Sequence, residues 1–220
     1  MTARATGLLG LVAGVVALVG NLLAPRFSGD DVDIYRELAD SDRYTVAFVV
    51  VLVAVLLVTA AFVGIARSGA GELRYYGRLT AVVGGSVALM QVALALFAFR
   101  QQAMAFADAP DGTQQVAAFW ATNAVDHVNA ALFSAWTIAL LGLAPLLIGL
   151  AQLRDRTLTA PATGLGIVGG VLCVVVGVGE LLTDDPSSWD VAFLVGSLLV
   201  TLWLFVTSAV LLRSAEVTTP

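Results

Sequence analysis

The sequence predicts an all-α protein, a polytopic bundle of six transmembrane helices forming a single domain over residues 1–220. Three observations predict it. Hydrophobic residues make up 59% of the 220 positions and charged residues 12%, where soluble domains carry roughly 45–50% and about 25%; the mean hydropathy is +0.93. Apolar windows of about 20 residues, long enough to cross a hydrocarbon core as helix, recur six times. The segments between them are too short to fold alone. A bilayer requires backbone polar groups to pair within each segment, which selects helices over isolated strands.

In chain order the spans fall at 5–24, 45–66, 79–99, 128–152, 162–183 and 190–212. The first follows Arg4 as a signal peptide would, but L-L-A-P-R-F-S lacks small-residue cleavage chemistry, so the segment is expected to be retained. After it, S-G-D-D at 28–31 reads as a helix start with acids near the positive end of the dipole. Val32, Tyr35, Leu38 and Ala39 then recur at helical spacing, which predicts a short surface helix. The second span ends at Arg67, and the third carries Gly84, Gly85, Ser86 and Gln91. From Gln114 to Arg154 no Gly or Pro intervenes before Gly142 and Pro145. At about 1.5 Å per residue, that pattern is close to twice the roughly 30 Å hydrocarbon thickness. Its first half must therefore project, lie at the interface or pack over the bundle. Pro145 predicts a kink near the far end of that span, and the sixth span runs to Arg213. Trp120, Trp136, Trp189, Trp203, Tyr75 and Tyr76 read as interface or packing aromatics.

Charge orients the chain. All eleven basic residues are Arg, and basic residues near span ends are retained on the cytoplasmic side. Arg4, Arg67, Arg74, Arg78, Arg154, Arg156 and Arg213 fall on the side holding both termini, with Glu72, Asp155 and Glu216 as its acids. Arg26, Arg36, Arg43 and Arg100 fall on the other, with the remaining acids. The expectation is a multi-pass protein of the cell membrane with cytoplasmic N- and C-termini and acidic outer loops. The pI of about 4.6 argues against nucleic acid and anionic headgroups as main partners. The lipid bilayer, a membrane-protein partner or a second copy of the chain remain. The single cysteine, Cys173, sits in an apolar run and can form no intramolecular disulfide.

An internal repeat also suggests itself. G-L-V-A-G-V-V-A-L-V-G-N-L-L at 10–23 and G-I-V-G-G-V-L-C-V-V-V-G-V-G-E-L-L at 166–182 share a small-residue start and a G-polar-L-L finish. Tyr44 and Trp189 each stand two places before V-A-F, and the middle pair offers A-V-V-G-G-S-V at 81–87. Three related helical hairpins would put Asn21, Gln91 and Glu180 in the outer halves of the outgoing helices, where they could converge.

Gly164, Gly166 and Gly169 spell G-x-G-x-x-G, but a dinucleotide site needs a preceding strand and a soluble helix, and these glycines lie within a span. Close helix packing is the better account: Gly10 with Gly14 and Gly166 with Gly170 make G-x-x-x-G, and Gly84 and Gly85 act likewise. Glu180 is an ionisable group within a span, a functional hypothesis by default, set against an interfacial carboxylate near Thr183, Asp184 and Asp185. Asn21 and Gln91 read either as interhelical hydrogen-bonding residues or as ligands.

N-A-V-D-H-V-N at 123–129 holds the chain's one histidine. On a helix, Asn123, Asp126, His127 and Asn129 occupy one broad polar face. His127 with Asp126 and Glu180 is a nitrogen and oxygen set suited to a metal, or His127 with a carboxylate to acid–base work. The competing reading is a wet helix end facing outer water. A single histidine gives the first two little specificity, so neither a metal nor a cofactor is expected.

R-A-T-G-L-L-G-L-V-A-G, I-Y-R-E-L-A, G-R-L-T-A-V-V-G-G and P-A-T-G-L-G-I-V-G-G-V-L together resemble small six-helix prokaryotic integral membrane proteins classed as a domain of unknown function. The resemblance covers nearly the whole chain through glycine and apolar patterns. It implies the six-helix fold and supplies no catalytic residues.

Three functions are weighed. The leading one is a non-enzymatic structural, accessory or sensing component of the membrane. The second is a small transporter or permease-like protein in which Asn21, Gln91, Asp126, His127 and Glu180 line an outward-facing cavity. The third is an intramembrane metal-dependent or acid–base enzyme.

Overall fold

The computed structural model describes residues 2–24, 30–183 and 189–217. Its helices are α1 (Ala3–Leu23), α2 (Asp31–Asp40), α3 (Asp42–Arg67), α4 (Glu72–Ala93), α5 (Arg100–Ala107), α6 (Thr113–Trp136), α7 (Ala144–Asp155), α8 (Ala160–Leu182) and α9 (Asp190–Val217). A π-helical stretch, Leu94–Phe99, joins α4 to α5, and a second, Thr137–Leu143, joins α6 to α7. Among the described residues, six continuous helical rods are long and apolar enough to cross a membrane: α1, α3, α4 through α5, α6 through α7, α8 and α9.

The spans pack in cyclic order. Each touches the one before and after it in the chain, and α9 closes on α1. Short connections between antiparallel helices favour this order. The centre is filled by Phe62 from α3, Trp203 and Leu204 from α9, and Leu140 and Ile148 from the fourth rod. The Phe62 and Trp203 rings meet edge to face at 5.5 Å. The periphery is also apolar: Leu8, Val12, Val15, Val19 and Leu22 form an exposed stripe along α1, and Val168, Val171, Val175 and Val178 another along α8. An apolar exterior around an apolar centre is the pattern of a helix bundle solvated by lipid.

Glycines set the helix separations. A Cβ on Gly10 would meet the Ser208 hydroxyl and one on Gly14 the Phe205 ring at 2.7 Å, both on α9. A Cβ on Gly84 would come within 2.5 Å of the Leu140 backbone nitrogen, and one on Gly85 would meet the Thr59 side chain of α3. A Cβ on Gly166 would meet the Trp203 ring at 2.8 Å, and one on Gly170 the Gly142 carbonyl at 2.6 Å. Without a hydrophobic force between helices in lipid, such close backbone approach supplies the attraction through dispersion. Gly164, by contrast, faces open space.

The third and fourth rods, 36 and 43 residues long, reach roughly 54 and 65 Å at 1.5 Å per residue. Their extra length lies at one end of the bundle, where α2 packs on α5 and α6. Asp30 caps α2 by accepting from the Asp33 amide at 3.0 Å. Ser28 and Gly29, which open the S-G-D-D signal, lie outside the described residues. Tyr35 and Leu38 are fully buried in a second cluster with Tyr44, Phe99, Ala103 and Phe106. The Tyr35 ring meets Phe99 and Phe106 edge to face at 5.8 and 6.1 Å. The periodicity at Val32, Tyr35, Leu38 and Ala39 thus serves a packed cap. The irregularity expected at Pro145 begins earlier, at Thr137. Pro145 has no N–H and its ring crowds the carbonyl four residues back, and the π-helical turn before it is one way the ladder accommodates that loss.

Candidate functional site

The polar side chains of the cap end gather along one element, the first half of the fourth rod. At its start, the buried Thr122 hydroxyl donates to the Gln102 carbonyl of α5 at 3.0 Å. Asn123 Nδ2 donates to the Tyr35 hydroxyl at 3.3 Å, and that hydroxyl donates to Asp126 Oδ2 at 3.3 Å. One phenol is therefore donor and acceptor at once, latching α2 to α6. Burial, the largest influence, pushes the Tyr35 phenol up to about 12; the Asn123 donation acts the other way, and the Asp126 charge adds to the rise. Two turns on, Asn129 Oδ1 accepts from Gln91 Nε2 of α4 at 2.8 Å. Further along, the buried Ser134 hydroxyl donates to Glu180 of α8 at 3.0 Å.

The structure thus distributes the residues singled out in the sequence. Asn123 and Asp126 meet Tyr35, Gln91 meets Asn129, and Glu180 meets Ser134. His127 is exposed, and its Nδ1 lies 2.8 Å from the Asn123 carbonyl one turn back on its own helix. A carbonyl only accepts, so Nδ1 is the donor in that contact. Asn21 is exposed in the last turn of α1 and lines an apolar cavity of about 80 Å³ between α1, α3, the fourth rod and α9. Among the described residues no ion pair joins His127 to Glu180, and no three His, Cys, Asp or Glu side chains gather as a metal would require. Asp184 and Asp185 lie outside the described residues.

Several polar anchors carry no one-helix signal. The Tyr44 hydroxyl donates to the Ala95 carbonyl at 3.2 Å, within the first π-helical stretch. Arg43, first read as an outer charge, caps α1 by donating to the Leu22 and Leu23 carbonyls at 3.0 Å each. Arg100 donates to Thr45 and faces Asp42 at 3.7 Å. At the opposite end Arg74, only 3% exposed, pairs with Asp155 at 3.0 Å and donates to the Ile65 carbonyl and Ser68 hydroxyl at 3.3 Å. One side chain there ties the end of α3 and the start of α4 to the end of α7. In the interior, Trp203 Nε1 donates to Gln152 Oε1 at 2.9 Å, both residues being buried.

Fold and site together define a multi-pass helical membrane protein with a structured polar cap. Tyr35, Asn123, Asp126, Gln91, Asn129, Ser134 and Glu180 pair with one another between helices. No family model, curated protein or solved structure matches the chain. Its functional reading is drawn from its own residues.

Proposed function

We propose that this protein is a non-enzymatic structural, accessory or sensing component of the cell membrane, acting by contact through its cap, with cytoplasmic termini and the cap outside. The observation that carries the reading is the Asn123–Tyr35–Asp126 latch. Asn123 and Asp126 are consumed in fastening α2 to the rod, and among the described residues the exposed His127 gathers no second acid or metal-binding group beside Asp126. What the latch presents outward is an acidic surface: Asp31, Asp33, Glu37 and Asp40 are all exposed on α2. Such a surface favours a basic or cation-bridged partner and disfavours anionic lipid. The segregation of Arg to the opposite end supports the orientation.

Site-specific photo-crosslinking from Glu37 and Trp120 in native membranes tests this. A discrete adduct that disappears in a Tyr35→Ala variant supports action by contact. Absence of any adduct, together with solute flux through proteoliposomes of the purified protein, overturns it in favour of transport.

A further inference from the structure

The cavity beside Asn21 has a second property, independent of the cap. It measures about 80 Å³, several times the roughly 10–15 Å³ that one water needs, yet each buried water needs two to four polar partners. Its wall is aliphatic and aromatic, with Val55, Phe62 and Leu140 prominent, and its polar side chains are Asn21, Trp136, Ser197 and Thr201. The Ser197 and Thr201 hydroxyls already donate along their own helix, to the Leu194 and Ser197 carbonyls. The Trp136 indole, on a side chain 8% exposed, has a buried N–H with no partner among the described residues. The space is too apolar to hold a water cluster, and Trp136, one of the residues lining it, keeps an unused donor.

We infer that this cavity binds the hydrocarbon chain of a membrane amphiphile, with the chain against Val55, Phe62 and Leu140 and the polar head at Asn21. An occupant of this class fits on three counts. Lipid chains surround the bundle at high concentration, and an apolar chain loses nothing by leaving them for an apolar cavity. A hydroxyl or ester oxygen near the head supplies the acceptor that the Trp136 N–H lacks, since indole donates only. Asn21, at the exposed end of α1, offers both donor and acceptor to a head group at the level where the span ends.

A brominated fatty acid, 9,10-dibromostearate, is the probe, added to the full-length protein in nanodiscs. Bromine quenches indole emission on contact, and the Trp136 signal is isolated as the difference between the protein and its Trp136→Phe variant. The expected result is quenching that saturates at a few molecules per protein. Its apparent affinity should fall at least fivefold in Ala54→Leu, which fills the cavity from α3, and in Ala17→Leu, which fills it from α1. Two variants on different helices guard against one that misfolds, and thermal unfolding of each reports its integrity. Quenching that rises linearly with bromolipid content and is equal in all folded variants, or no quenching at all, overturns the inference.

Discussion

Tyr35 and Asp126 stand 91 positions apart and are joined by a hydrogen bond of 3.3 Å from phenol to carboxylate. The phenol is fully buried while Asp31, Asp33 and Glu37 around it on α2 are exposed. The cap is therefore an element that this hydroxyl and the surrounding aromatic rings hold down.

Tyr35→Phe keeps the ring contacts and removes both hydrogen bonds, leaving Asn123 and Asp126 to water. A loss of about 1 kcal/mol in local stability is expected. Tyr35→Ala removes the ring as well and should cost about 3–5 kcal/mol. Hydrogen exchange of residues 30–43 in nanodiscs reads both; equal protection in all three proteins would show that the latch contributes nothing.

The same phenol sets a pH window. Its folded value, about 12, lies above the ordinary 10, so the unfolded chain releases this proton first as pH rises. The contribution to stability is complete below pH 10 and is lost as the pH climbs towards 12. Proteolysis of the α2 segment should accelerate across that interval in step with phenolate absorbance, and Tyr35→Phe should remove the component that titrates within it.

At the opposite end, the two partners of the Arg74–Asp155 pair should respond unequally. Arg74 is 3% exposed and Asp155 36%. Asp155→Ala strands a buried guanidinium and should cost about 3 kcal/mol. Arg74→Met leaves a carboxylate that water can reach, and about 1–2 kcal/mol is expected, mainly from the uncapped Ile65 carbonyl. Steric-trap or denaturant unfolding of both variants in micelles checks the order, which would be reversed if the pair were a simple surface contact.

Glycine substitutions separate packing from propensity. Gly84→Ala forces a methyl against the Leu140 backbone and should destabilise by about 1–3 kcal/mol as helices part. Gly164→Ala meets open space and should gain up to about 1 kcal/mol from helix propensity. Thermal unfolding of the two variants should shift in opposite directions.

Orientation can be read with the native thiol in place, because Cys173 is buried. A membrane-impermeant maleimide applied to intact cells should label Asp108→Cys and leave Glu72→Cys unlabelled until the membrane is opened. The reverse pattern would invert the proposed topology.

Much of the fold is legible without coordinates because its causes are local. A run of about 20 apolar residues meets the thickness of a bilayer whatever its neighbours, and the spacing of Val32, Tyr35 and Leu38 marks a one-sided helix by itself. G-x-x-x-G at Gly10 and Gly14 announces a flat surface, although nothing in that spacing says it meets Ser208 and Phe205 of α9. The stretch N-A-V-D-H-V-N likewise announces a polar face but not its use. Its conspicuous histidine is exposed, while its two asparagines and aspartate do the fastening. Tyr35, read for its ring, supplies the hydroxyl that matters.

The sequence by itself therefore determined that this chain is a six-helix bundle in lipid, with a long fourth rod and an amphipathic helix beside it, since length, hydropathy and period belong to single segments. Only the tertiary structure decided that Tyr35 meets Asp126, Gln91 meets Asn129, Glu180 meets Ser134 and Asn21 lines a cavity. A hydrogen bond forms within about 3.5 Å and a narrow angle. Two helices far apart in the chain come into that range only when glycine contacts and packing fix their register.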